Sequence, residues 1–221
     1  MSIILKNIKK HYYIGHEKIK ACNVDFLEFV DGKFYAITGP SASGKTSLLN
    51  IITGIVQPCA GSVLINGTDI TKLDSRKKAE LRIDNIGLIF QNDLLIDELT
   101  INENMNIISQ LSSKEIKIDV IHFSRIFGIE KELDKFPPQL SRGQRQRAAV
   151  LRSILFDQPI LVADEPTANL DSVNAETIYS FFRELADRGK TIIIAAHDKN
   201  ILNYSDIVYN IKDGNLEQFK S

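Results

Sequence analysis

Apolar and polar positions follow two rhythms along this chain. Phe34 to Thr38, Ile86 to Phe90, Ile160 to Ala163 and Thr191 to Ala196 are short apolar runs. That is the pattern of strands buried on both faces. Ile3 to Ile8, Ile19 to Phe29 and Ile207 to Ile211 also read as strands, the second alternating in part. Val63-Leu64-Ile65 runs into the turn Asn66-Gly67, and further turns fall at Asp31-Gly32 and Asp213-Gly214. Between them lie helical stretches: one opening at Ser47, a polar one over Ser75 to Ile83, a basic one over Gln144 to Phe156 and a long one over Val173 to Arg188. Strands alternating with helices predict an α/β fold with a mostly parallel sheet. From about Asn92 to Pro138 the strand rhythm stops. Helices are expected over Thr100 to Gln110 and Glu115 to Phe127, with Gly128 and Pro137-Pro138 closing the segment. This stretch reads as an all-helical insert, 92–137, in one domain whose core is 1–91 and 138–221.

Gly39 to Thr46 read Gly-Pro-Ser-Ala-Ser-Gly-Lys-Thr, the phosphate-cradling pattern G-x-x-x-x-G-K-[ST], between a predicted strand and a predicted helix. Such a loop aims backbone N–H groups and a helix N-terminus at one anion. Pro40, Ser41, Ala42 and Ser43 fill the loop. Gly39 and Gly44 allow the close approach that a Cβ blocks, Lys45 brings a cation to the β- and γ-phosphates, and Thr46 brings a hydroxyl to Mg²⁺. Ser47 carries a second hydroxyl beside it. Ile160 to Ala163 ends in Asp164-Glu165, two acids at the end of a parallel strand where ligands bind. Asp164 is placed to hold Mg²⁺, and Glu165 to deprotonate a water. The competing role for Glu165 is an acidic cap on the segment that follows.

Composition narrows little. A chain of 221 residues with net charge −1 buries a sizeable core and offers no global attraction to nucleic acid. The two cysteines, Cys22 and Cys59, make neither a disulfide framework nor a zinc spacing. Met1 to Lys10 reads as a strand rather than a secretory leader, and no apolar stretch reaches bilayer-spanning length. The basic run Arg142, Arg145, Arg147 and Arg152 reads as a solvated or ion-paired helix face.

The order of these motifs resembles the nucleotide-binding subunit of an ATP-binding cassette (ABC) transporter. Leu140-Ser141-Arg142-Gly143-Gln144 resembles the family signature Leu-Ser-Gly-Gly-Gln and lies between the insert and the Asp-Glu strand. Gln91 matches the glutamine joining core to insert, Asn169-Leu170-Asp171 the loop after the acidic pair, and His197 the switch histidine. The stretches Ala163 to Asp171 and Ile86 to Gln91 are similar to the branch of lipoprotein-releasing, macrolide-exporting and antimicrobial-peptide-resistance ATPases.

The resemblance implies a P-loop NTPase core, an N-terminal antiparallel β subdomain and the helical insert. It implies ATP as substrate and Mg²⁺ on Thr46, Gln91 and Asp164, with Glu165, His197 and Gln91 as the catalytic set. Ser141, Gly143, Gln144 and Asp171 join the phosphate loop in holding nucleotide. Tyr12, within Tyr12-Tyr13-Ile14-Gly15, matches the aromatic that stacks on adenine, with Tyr13 its competitor, because strand alternation sends the two to opposite faces. It implies partners too: a second copy of the chain and a separately encoded bacterial membrane permease, with the protein on the inner face of the cell membrane. An ATPase that regulates a membrane complex without transport is the alternative. Arg142 and Ala42 stand where the family usually has glycine, and Thr46-Ser47 inverts the usual order. Whether Arg142 attracts phosphate or points away is open at this stage.

Overall fold

The computed structural model describes residues 2–112 and 115–219 and holds one ten-stranded sheet. Its core is a row of parallel strands, in the order β9 (Ile207–Lys212), β3 (Phe34–Thr38), β8 (Thr191–Ala195), β7 (Ile160–Asp164) and β6 (Ile86–Ile89). The pleat explains why these runs are apolar throughout. Ile192 and Ile194 point into one core with Ala36, Leu161 and Ala163, while Ile193 and Ala195 point into the other with Ile37 and Val162. Each fully buried isoleucine stabilises by roughly 1.5–3 kcal/mol, so Ile192, Ile193 and Ile194 anchor both layers at once.

The first core is covered by α3 (Ile101–Ser112), α4 (Val120–Ile126), α5 (Arg142–Ser153) and α6 (Ser172–Asp187), through residues such as Met105, Phe123, Val150 and Phe182. The second is covered by α1 (Lys45–Ile52), whose Leu48, Leu49, Ile51 and Ile52 are buried, and by a β layer. That layer is antiparallel: β1 (Ile3–Ile14) lies between β2 (Glu17–Phe29) and β4 (Ala60–Ile65), with β5 (Thr68–Asp69) at the edge. The polar helix α2 (Ser75–Asn85) buries no residue and is capped by the Asp74 carboxylate, which accepts from the Lys77 N–H.

Two expectations are corrected, and one strand is added to those expected. No helix spans Glu115 to Phe127: the helix starts at Val120, and Ile116, Ile118 and Val120 pack on the first core from a segment whose Lys117 N–H donates to the Leu155 carbonyl. That bond and the packing of Ile116 and Ile118 hold the segment before Val120 outside the helix. The basic helix begins at Arg142 rather than Gln144, because Ser141 caps it and shares a capping box with Gln144. After the Asp213-Gly214 turn the chain continues into β10 (Asn215–Phe219), antiparallel to β9 and touching β2 at Asn23, so the two sheets are continuous.

One carboxylate ties α6 to the strand that feeds the phosphate loop. Asp206 Oδ2 accepts from the Phe34 N–H at 2.8 Å and from Arg183 Nη1 at 2.9 Å. Burial works to raise its pKa, but these hydrogen bonds and the Arg183 charge outweigh it and hold the group below the usual carboxylate range. We predict that Asp206→Ala costs about 1–3 kcal/mol at neutral pH. A depressed folded pKa gives stability that is present above the unfolded value of about 3.9 and is lost as pH falls through the folded value. Urea unfolding of both proteins should therefore show a gap near pH 7 that closes as pH drops below about 4; a gap independent of pH would refute the assignment.

Candidate functional site

The loop after β3 is held open by backbone that glycine favours. Gly39 has φ +150° and Gly44, the N-cap of α1, has φ +110°. A Cβ on Gly39 would lie 2.2 Å from the Ile211 carbonyl oxygen, and one on Gly44 would lie 2.1 Å from that of Ala21. Neither backbone neighbour has room to move, so both positions need glycine. Ala42 holds φ +61° with a Cβ, a strained state. The Ser43 hydroxyl is buried without a hydrogen-bond partner. An orphan donor inside a phosphate-type loop fits an incoming oxyanion.

Lys45 reaches back across this loop. Its Nζ donates to the carbonyls of Gly39 (2.9 Å) and Pro40 (3.0 Å) and lies 3.1 Å from His197 Nε2. Burial lowers its pKa, and the Glu165 and Asp164 carboxylates work against that fall. The Thr46 hydroxyl donates to Asp164 Oδ2 at 2.6 Å. Burial pushes the Asp164 carboxyl above its ordinary value, with Thr46 opposing. Glu165 sits at φ +50°, and its Oε1 lies 3.0 Å from the same His197 Nε2. That nitrogen can accept from Lys45 or donate to Glu165 but cannot do both with one proton. Cation, imidazole and carboxylate thus form one coupled triplet.

These groups share a cavity of about 300 Å³ with Tyr12, Ser41, Ser47 and Gln91. Tyr12 is 42% exposed, with Lys10 Nζ 5.0 Å from its ring centre. Tyr13, 64% exposed, does not line the cavity and meets His11 edge-on. Thr46, Asp164 and Gln91 together line an adjoining groove. A hydroxyl, a single carboxylate and an amide are hard oxygen donors, and they fit Mg²⁺, which takes one or two carboxylates with phosphates and water. Among the described residues no group of three His, Cys, Asp or Glu could hold a metal by itself.

The profile of the ABC transporter family matches residues 23–168. This chain belongs to the ABC transporter family. It is 34% identical over 96% of its length to an ABC transporter ATP-binding protein of Thermotoga maritima, covering 92% of that protein. It is 34% identical to the lipoprotein-releasing system ATP-binding protein LolD of Treponema denticola, over 98% of this chain and 97% of that one. The macrolide export ATP-binding/permease protein MacB of Shigella sonnei is 32% identical over 96% of this chain but only 33% of its own length. The structure is similar to a dimeric post-hydrolysis state of the ATP-binding cassette MJ0796 bound to ADP and Pi, with TM-score 0.91, 32% identity and 99% of each chain covered. The ten-stranded mixed sheet is that of an ABC cassette.

Four of the expected residues of this ABC cassette lie apart from the cavity. Ser141 and Gln144 are engaged in their capping box, with Gln144 Nε2 donating to Glu132 at 3.1 Å. Gly143 packs where an added Cβ would lie 3.0 Å from the Asn169 carbonyl oxygen. Asp171 caps α6, and its bonds from the Asn174 N–H and amide hold its pKa down. None of the four lines the cavity. The basic helix face is solvated at Arg142 and ion-paired at Arg145, as expected, and departs from expectation at Arg152. Half-buried Arg152 turns onto the backbone: its Nη1 donates to the Leu94 carbonyl and its Nη2 to that of Asp93, both at 2.7 Å. Arg145 Nε lies 3.4 Å from Asp93 Oδ2, an ion pair. Sequence reasoning missed these clamps on the segment after Gln91. Arg152 lies ten positions beyond Arg142, close to a whole number of helical turns less one residue, but only the fold brings residues 93 and 94 under it.

The two tyrosines give a direct check. Tyr12→Ala is expected to weaken ATP binding by roughly 5- to 150-fold, the equivalent of ~1–3 kcal/mol of base stacking, and Tyr13→Ala to leave it nearly unchanged. Titration of each variant with a fluorescent ATP analogue measures this, and the reverse order would show that the wrong face of β1 had been chosen.

Proposed function

We propose that this chain is the ATP-hydrolysing subunit of an ABC transporter, working as a pair of copies that enclose two ATP molecules and drive a separate membrane permease. The observation that carries the reading is the convergence of Lys45, Glu165 and His197 beside a phosphate loop whose Thr46 already engages Asp164. Similarity to LolD and MacB supports transport and a permease partner, and similarity to the dimeric MJ0796 cassette supports pairing. Ser141, Gly143 and Gln144 lie outside their own chain's cavity, which supports their meeting the nucleotide of a second copy. No helix among the described residues is long and apolar enough to cross a membrane. In this reading the permease holds the pair at the inner face of the membrane.

Lys45 exchanges its bonds to the Gly39 and Pro40 carbonyls for the β- and γ-phosphates. Ser43 donates its unpartnered hydroxyl to the same phosphates, and Tyr12 stacks on adenine. Thr46, Asp164 and Gln91 are the residues that would hold Mg²⁺, which when bound neutralises phosphate charge. Glu165 takes a proton from water as the water oxygen bonds to the γ-phosphorus. The bond from that phosphorus to the β,γ-bridging oxygen breaks, leaving ADP and inorganic phosphate. His197, in contact with both Lys45 and Glu165, holds the γ-phosphate against the base. The left-handed backbone at Glu165 fixes where its carboxylate points.

Glu165→Gln keeps size and hydrogen bonding and removes the base. Single-turnover hydrolysis is expected to fall about 10²–10⁴-fold. Mg-ATP binding should persist, and light scattering should show an ATP-dependent dimer accumulating, since hydrolysis no longer empties the closed state. A rate near wild type would leave Glu165 as a structural cap and defeat the catalytic assignment.

A further inference from the structure

Beside the nucleotide cavity lies a second, strongly polar cleft of about 400 Å³. Gln91 lines both, so the two adjoin. The cleft lies between Asp93 and Asn169 on one side and the start of α5, through Arg142, Arg145 and Gln146, on the other. The groups left unpaired on the α5 side are donors. Arg142 is exposed at the first turn of α5, and its side chain makes no hydrogen bond or ion pair with any described residue. Gln146 is only 2% exposed, yet its Nε2 has no hydrogen-bond partner. Arg145 Nε is buried and ion-paired with Asp93 at 3.4 Å, but it too lacks a hydrogen bond. A buried amide donor left unpaired costs about 1–3 kcal/mol unless something accepts from it. With two guanidinium groups against one carboxylate, and a helix N-terminus alongside, the complement is an anion with several acceptor oxygens.

We propose that this cleft binds a phosphate anion, and that it is the station which inorganic phosphate occupies after hydrolysis on its way out past Gln91. The second half rests on the reading of the chain as an ATPase; the first does not. The donor set is that of phosphate: Arg142 supplies the uncompensated charge, and Gln146 supplies a desolvated hydrogen bond that a chloride ion would use poorly. Arg142 is also the residue at which this signature departs from the glycine of the family pattern. A station built on it belongs to this chain's own sequence rather than to the signature in general.

The test is calorimetric titration of inorganic phosphate into the full chain saturated with ADP, which leaves two places for phosphate: the terminal position of the phosphate loop and this cleft. One phosphate per chain is expected. Its affinity should fall at least tenfold in Arg142→Gln and in Gln146→Leu and stay within about twofold in Lys45→Ala. Arg142→Gln changes an exposed side chain and so reports even where Gln146→Leu disturbs the helix. Binding that disappears with Lys45→Ala and survives Arg142→Gln would place the anion in the phosphate loop and overturn the proposal, as would no binding at all. Steady-state ATPase assays with added phosphate separate the two claims. Product inhibition weakened by Arg142→Gln supports the exit role. Inhibition unchanged in that variant rejects the exit role, and a wild-type chain without ATPase activity rejects the proposed function; in either case the titration still decides the anion site.

Discussion

Ala195 pairs with Asp164, Ile37 pairs with Ala195, and Ala163 pairs with Ile89. This register puts the residues that follow each strand, Gly39, Glu165, His197 and Gln91, in one row at the C-terminal edge of the parallel sheet. A slip of one residue in β7 would exchange its two faces and carry Asp164 away from Thr46. The register is specified because both faces of these strands are buried, so every side chain has one core it fits. The antiparallel layer and α1 serve the same end from one side, and α5 and α6 from the other. The Glu165 N–H donates to the Ala195 carbonyl, and the Ala196 N–H to that of Ile37, so the ladder extends to the edge of the site.

The site draws on the stability of that frame. Lys45 and Asp164 are both buried, and burial moves their pKa values in opposite directions, the lysine down and the carboxyl up. Each shift disfavours the charged form, and each is limited by the other residue's charge. Glu165 adds to the compensation of the lysine, and the Thr46 hydroxyl to that of Asp164, so the cost of each buried charge is shared across the site. Ala42 and Glu165 add left-handed backbone at roughly 1–3 kcal/mol each. Such strain persists only where the surroundings over-determine it, and here the two cores on either side of the sheet do so.

Much of this was legible in the chain because the chemistry depends on local sequence. A phosphate loop is contiguous, and so is a buried strand ending in Asp164-Glu165. What was not legible depends on distant partners. The segment 115–119 runs beside α5 because the Leu155 carbonyl accepts there, an acceptor some forty positions away. The strand β10 is polar and mostly exposed, so its apolar pattern was too weak to announce it, and its pairing with β9 and its contact with β2 define it. Arg152 looked like part of a charged helix face, and only the packing of residues 93 and 94 against α5 turns it inward. Tyr12 and Tyr13 could be separated by alternation but not ranked by it; the ranking by exposure needed the fold.

The arginine clamps bear on how the two halves of the cassette communicate. Gln91 lines the nucleotide cavity, and two residues later the chain is bound to α5 through both Arg145 and Arg152. The N-terminus of that same helix carries Ser141 and Gly143. A displacement of Gln91 therefore does not relax within a loop. It bears on a helix of twelve residues, about 18 Å long, whose N-terminal end is, in the proposed pair, the part that faces the second nucleotide. Two bonds to backbone carbonyls hold better than one to a flexible side chain, because neither carbonyl can swing away without breaking the local fold. Arg152 is half-buried and the Asp93 charge acts on it, so loosening the clamp would leave two backbone acceptors without their donor. Stiffness along α5 then makes the state of one site a mechanical boundary condition on the other, which is what a device that closes around two ligands together requires.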